Sequence, residues 1–195
     1  MGAVGFLRVG VVMCFAAAAC ACAPTDSRDG RNLRTFRSRT YGYAIDHPAN
    51  WTIIEATRVL DDGEPPATAA GGTDILARRA DTKVRDMKLP AMVVGAQRVS
   101  SATDIDGWTS MVIDTVSFMK QCPEPDARER IEVGDEQAVL LTYNDCPKGS
   151  GLFHLWTAVV HDGLGFHVVW FDRHGREVAD RKALDKMLSS VSFAG

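Results

Sequence analysis

The chain has 195 residues, 46% of them hydrophobic, and a formal net charge of −3. That length suits one ordinary domain with a sizeable core. The mild charge balance gives no reason to expect a nucleic-acid partner.

Met1–Arg8 is a short segment with one positive charge, and Val9–Ala19 is an apolar run too short to span a bilayer as a permanent helix. The run meets Cys20 and Cys22 in AAAACACAPTDS. Small residues directly before a cysteine resemble a bacterial lipoprotein box, which implies a lipid on the first cysteine of the processed chain. Cysteine arithmetic favours Cys22, since Cys122 and Cys146 then remain as an even pair, whereas Cys20 would leave three. An ordinary signal peptide cut after Ala19 or Ala21 is the alternative. The expected organisation is a signal segment over 1–21, a polar, Arg-rich tether over 22–34 and one domain over 35–195. Arg28, Arg31, Arg34, Arg37 and Arg39 would add attraction to an anionic membrane surface. No later stretch is long and apolar enough to be a transmembrane helix.

The domain opens with Thr35–Asp46, where Tyr41, Tyr43 and Ile45 alternate with smaller or polar residues at the period of a half-buried strand. Trp51 begins a second run, WTIIEATRV. Asp61–Thr73 has no periodicity and reads as a loop. Asp74–Arg79 and Ala91–Ser100 look like strands, with Lys83–Pro90 as a charged connection. Ser101–Lys120 has helical spacing through Ile105, Trp108, Val112, Thr115 and Met119, with Thr103 as cap and Asp106 completing a weak capping box. Arg128–Val133 and Glu136–Tyr143 form a hairpin around Gly134-Asp135.

Leu152–Asp172 is a second hairpin around Asp162-Gly163, apolar on both faces and therefore expected at the centre of the sheet. Glu177–Val191 is a second helix, with Leu184, Met187, Leu188 and Val191 on one face. Phe193 is expected to pack at the domain edge. Hairpins rather than βαβ units imply an α+β fold, with a largely antiparallel sheet covered by two helices. Cys122 and Cys146 lie in loops, each directly before a proline, and no C-x-x-C spacing points to a metal. A disulfide between them suits an oxidising compartment.

Tyr41-Gly-Tyr-x-Ile-x-x-Pro-x-x-Trp51 resembles the opening of the PsbP-like superfamily, which has bacterial lipoprotein members of the LpqN and DcrB kind. His47 stands where that family often carries an aromatic residue. The ending WFDRHG…LDKMLSSVSF also matches in residue detail. The resemblance implies a PsbP-like sandwich and a role in binding protein partners.

Residues that might carry chemistry do not converge. If Asp162-Gly163 is a two-residue turn, His154 and His167 share a sheet face but stand four rungs apart. That is roughly 13 Å, too far to share a metal. His161 falls on the other face. Ser150 is flanked by glycines but has no strand-to-helix elbow, and Ser189 and Ser190 sit near a helix end. Asp61, Asp62 and Glu64 read as a solvated loop, and Asp104 and Asp106 as a helix start. There is no P-loop, dinucleotide fingerprint or H-E-x-x-H. Hence no catalytic residue, metal ligand or cofactor is expected. Trp51, Trp108, Trp156 and Trp170 are the leads for packing or binding, with Trp156 and Trp170 on opposite sheet faces.

The expected function is an exported, membrane-anchored lipoprotein serving as a non-catalytic binding or accessory module at the cell envelope, with a protein partner there. A small-molecule or lipid carrier is the alternative, and an envelope hydrolase a third.

Overall fold

The computed structural model describes residues 32–61, 64, 71–81, 88–120 (118–120 by backbone alone), 122 and 124–194. The stretch expected to be a signal segment, Cys20, Cys22 and most of the expected tether lie outside the described residues. The first strand, β1 (Leu33–Arg37), begins inside the stretch expected to be tether. It pairs antiparallel with β2 (Tyr43–Pro48). The expected single opening strand is therefore two, with Tyr41 in the turn between them. Gly42 has φ +69°, and its N–H donates to Ser38 O at 3.0 Å.

After β2 come β3 (Thr52–Ile54), β4 (Asp74–Arg79), β5 (Lys88–Arg98), α1 (Ile105–Lys120), β6 (Ala127–Val133) and β7 (Glu136–Asn144). Then follow β8 (Leu152–His161), β9 (Leu164–Arg173), α2 (Glu177–Leu188) and β10 (Ser192–Phe193). Seven strands form an antiparallel sheet in the order β3-β4-β5-β9-β8-β7-β6, and β1-β2-β10 form a smaller one. The β8–β9 hairpin has the register expected of an Asp-Gly turn, from His161↔Leu164 to Leu152↔Arg173. Asp162 and Gly163 both have positive φ, 45° and 72°, which the twist of a two-residue hairpin favours.

Period-two alternation along β5, β8 and β9 divides the core into two clusters. On one face Trp108, Val112, Ile113 and Val116 of α1 pack on Val93, Val139, Leu141, Trp156, Val169 and Phe171. On the other, Leu184, Met187 and Leu188 of α2 share the cover with Phe36, Tyr43 and Ile45 of the small sheet, over Met92, Leu155, Phe166 and Trp170. The sheet is thus covered by two helices, one of them beside a second sheet. Trp156 and Trp170 fall on opposite faces.

Three further boundaries differ from expectation for local reasons. The helix α1 is capped by Asp104 rather than Thr103: Asp104 Oδ1 accepts the Gly107 N–H at 2.8 Å. The WTIIEATRV run leaves the sheet after Ile54 because the buried Asp74 Oδ1 takes the Ala56 N–H at 2.7 Å, and Gly71 O takes the Thr57 N–H at 2.7 Å. The last helix ends at Leu188, three residues early. Ser189 and Ser190 hydroxyls donate to Lys186 O (3.0 Å) and Met187 O (2.6 Å), satisfying terminal carbonyls and freeing Ser192–Phe193 to pair with β2. Of the connection Lys83–Pro90, Lys88–Pro90 belong to β5 and the rest lies outside the described residues.

Cys122 and Cys146 form a disulfide with a Cα–Cα distance of 6.0 Å, joining the end of α1 to the β7–β8 loop. No helix among the described residues is long and apolar enough to cross a membrane.

Candidate functional site

The histidines expected to lie apart do so. His154 is opposite Phe171 and His167 opposite Ala158 on the α1 face. His167 is buried against Trp108 (ring centroids 6.0 Å) and Trp156 (6.4 Å), and burial pushes its pKa down to about 3, so it is neutral at physiological pH. His161, on the opposite face, stacks on Phe193 at 4.4 Å and bonds Glu136 Oε1 through Nδ1 at 2.7 Å. His47 Nδ1 stays local, 2.9 Å from Pro48 O. Among the described residues no group of three or more His, Cys, Asp or Glu could hold a metal ion.

The tyrosines of the opening motif have a structural task. Tyr43 donates its hydroxyl to Asp74 Oδ2 at 2.8 Å, and Tyr41 donates to Gly72 O, so both hold down the segment that closes over the small sheet. Burial raises the Asp74 carboxyl, and burial with the neighbouring Asp74 raises Tyr43 well above the usual phenol range. Gly149-Ser150-Gly151 is a loop built around Asp145, whose carboxylate accepts Gly149 N–H (2.8 Å) and Gly151 N–H (3.0 Å). Ser150 Oγ accepts the Leu152 N–H.

That loop adjoins the turn into α2, where the described residues come closest to a site. Gly175, at φ +88°, reverses the chain after β9. The His174 N–H donates to Gly151 O at 3.2 Å, pinning the turn to the loop. Glu177 accepts the Gly175 N–H (2.8 Å) and pairs with His174 Nδ1 (2.9 Å); its own backbone N–H first, then these two, hold its carboxyl down at about 2. Beside this turn an open groove of about 310 Å³ runs between α2 and the sheet. Phe153 and Leu155, themselves almost wholly buried, lie at its base with Thr142 and Asn144, and Glu177, Val178 and Arg181 line its helix side. Arg181 donates two hydrogen bonds to Glu129 of β6, at 2.8 and 2.9 Å, tying the helix across the sheet. Val178 is 87% exposed, far more than any other large apolar side chain among the described residues.

Under the same turn lie Asp172 and Asp180, 4% and 3% exposed. Arg176 Nε is 3.7 Å from Asp172 Oδ2. Burial first, then the neighbouring Asp172, raises the Asp180 carboxyl well above the usual range, so that Asp180 is the member that keeps a proton. Neither carboxyl lines the groove.

Sequence reasoning missed both features, though each left a signal. Asp180 precedes Leu184 by four residues, which puts an acid on the buried stripe of the helix. Val178 lies about 120° around the helix from Leu184, an apolar residue off that stripe. The base of the groove could not be read, because Phe153 and Leu155 look like any buried strand residues, at 2% and 1% exposure.

The comparisons with known proteins bear on the fold. No family model and no curated protein matches the sequence. Among solved structures, the chain is similar to the cyanobacterial PsbP (CyanoP) of Synechocystis sp. PCC 6803. The TM-score is 0.57 at 14% identity, over 88% of this chain and 99% of that one. The fold is PsbP-like. A second PsbP-like neighbour is the Saccharomyces cerevisiae Ran-binding protein Mog1p, with TM-score 0.50 and 9% identity over 83% of this chain and 95% of that one.

Proposed function

We propose that this PsbP-like chain is an exported lipoprotein, anchored through Cys22 (or Cys20), that acts as a non-catalytic binding or accessory module at the cell envelope. Its partner is an envelope protein that lays a peptide segment with one large apolar side chain into the groove beside α2. The observation that carries this reading is Val178, 87% exposed at the rim of the groove, with an acid (Glu177) and a base (Arg181) beside it on the helix. The interior favours it over a small-molecule carrier. Among the described residues, the apolar cavity between the two sheets, lined by Ile45, Val94, Val159 and Phe166 among others, measures about 10 Å³. That is room for a single water at most, against the several hundred Å³ that a ligand pocket requires. The disulfide suits an oxidising, extracytoplasmic setting.

The groove is tested by affinity capture of the tethered protein from its own envelope. Val178→Asp should abolish recovery of the partner while leaving the urea midpoint unchanged, since the side chain is already in water. A partner recovered equally by both proteins overturns the groove. The anchor is tested separately by labelling cells with a palmitate analogue. The label should be lost in Cys22→Ala and kept in Cys20→Ala, and an unlabelled wild type overturns anchoring.

A further inference from the structure

The strand β6 is the last of the seven-stranded sheet, and Ala127–Arg130 and Glu132 are exposed along it. The opposite edge, β3, has three residues, whereas β6 has seven. Gly134, at φ +60°, sits at the first position of a two-residue turn, so Val133↔Glu136 is the closing hydrogen-bonded pair. Counting back from it, Ala127, Glu129, Ile131 and Val133 direct their N–H and C=O groups to β7. Arg128, Arg130 and Glu132 direct theirs outward. Among the described residues no strand pairs with that edge.

We propose that the occupant of this edge is a second copy of the chain, paired antiparallel through β6 about a twofold axis at Ile131. Continuing the sheet without exchanging its faces allows three central registers. Centring on Glu129 sets Glu129 against itself and Arg128 against Arg130. Centring on Arg130 sets Arg128 opposite Glu132 twice but sets Arg130 against itself. Centring on Ile131 sets Arg130 opposite Glu132 twice and Ile131 opposite Ile131, and no like charges face each other. Of the three, only this register forms complementary pairs with no like charges opposed. Like the other two it joins outward-facing residues to outward-facing residues, here with about four backbone hydrogen bonds. Arg130 already bonds Asp106 of α1, so its guanidinium is held on the face where Glu132 of the second copy would arrive. The interface is isologous, as a twofold requires. It lies at the sheet edge and does not depend on the groove proposed above.

The test uses the full-length protein in its native membranes under mild oxidation. Arg130→Cys co-expressed with Glu132→Cys should give a cross-linked dimer, since the bonded pair lies at about 5.5 Å between Cα atoms, within disulfide reach. Arg130→Cys alone should give little. A second arm guards against a cysteine that perturbs the edge: Ile131→Cys alone should cross-link to itself. Arg130→Glu placed in the Ile131→Cys background should lower the dimer roughly tenfold, and adding Glu132→Arg should restore it. Efficient self-cross-linking of Arg130→Cys overturns the register. Absence of dimer in both arms overturns the pairing, while partner capture through Val178 would be untouched.

Discussion

Two buried titratable side chains make opposite demands on pH. The His167 pKa falls from 6.5 unfolded to about 3 folded. As the pH drops below 6.5, the unfolded chain takes up a proton that the native state refuses, and stability falls by about 1.4 kcal/mol per pH unit. Asp180 is raised from 3.8 by burial and by Asp172. As the pH rises above 3.8, the unfolded chain gives up a proton that the native state keeps, and stability falls in that direction instead. Between about pH 4 and 6 the two slopes oppose each other. Urea midpoints measured across that range should therefore slope downward with rising pH in His167→Gln and upward in Asp180→Asn. Parallel curves for the two variants would refute the assignment. Both positions were visible in the sequence, one as a histidine in an apolar strand and the other as an acid on a helix stripe. What was not visible was the tryptophan pair around the first and the second carboxyl beside the other, because both depend on chain segments far apart in sequence.

At the level of elements, the sequence spoke most clearly where a turn set a register. Asp162-Gly163 determined every facing pair of β8 and β9, and with them which tryptophan and which histidine share a face. It said less where the end of an element depended on a distant acceptor. Helical spacing ran on to Val191, but serine hydroxyls closed the helix at Leu188. The small sheet was not legible, since β10 has two residues and exists only by pairing with β2. The joint between α1 and β9 leaves no room for a side chain. Trp108 lies over Gly165 and donates its indole N–H to Phe166 O at 2.7 Å. A Cβ at position 165 would sit 2.6 Å from the indole ring. Gly165→Ala should therefore destabilise the fold by about 1–3 kcal/mol, as overpacking does. A thermal melt within a degree of wild type would show that α1 can lift without cost.

For the whole molecule, one covalent link crosses the layers. Cys122 follows α1, Cys146 follows β7, and the two are 24 residues apart in sequence. The Cys122→Ala/Cys146→Ala double variant should lose about 3 kcal/mol, read as a lower urea midpoint with a slope that steepens as the unlinked unfolded chain expands. An unaltered midpoint would mean that the unfolded chain gains nothing from the cut. The reading of an exported protein and the presence of this link agree, since the chain would meet oxidising conditions before it finished folding.

The two layers each carry their own fluorophores. Trp108 and Trp156 lie in the cluster under α1, and Trp51 and Trp170, with ring centroids 5.6 Å apart, lie in the cluster under α2 and the small sheet. Each side of the central sheet thus contains its own pair of indoles, shielded from solvent in the folded state. Replacing one pair by phenylalanine leaves intrinsic fluorescence reporting on the other side alone. An emission change on adding a partner would then tell which side of the sheet had felt it, with no dye attached.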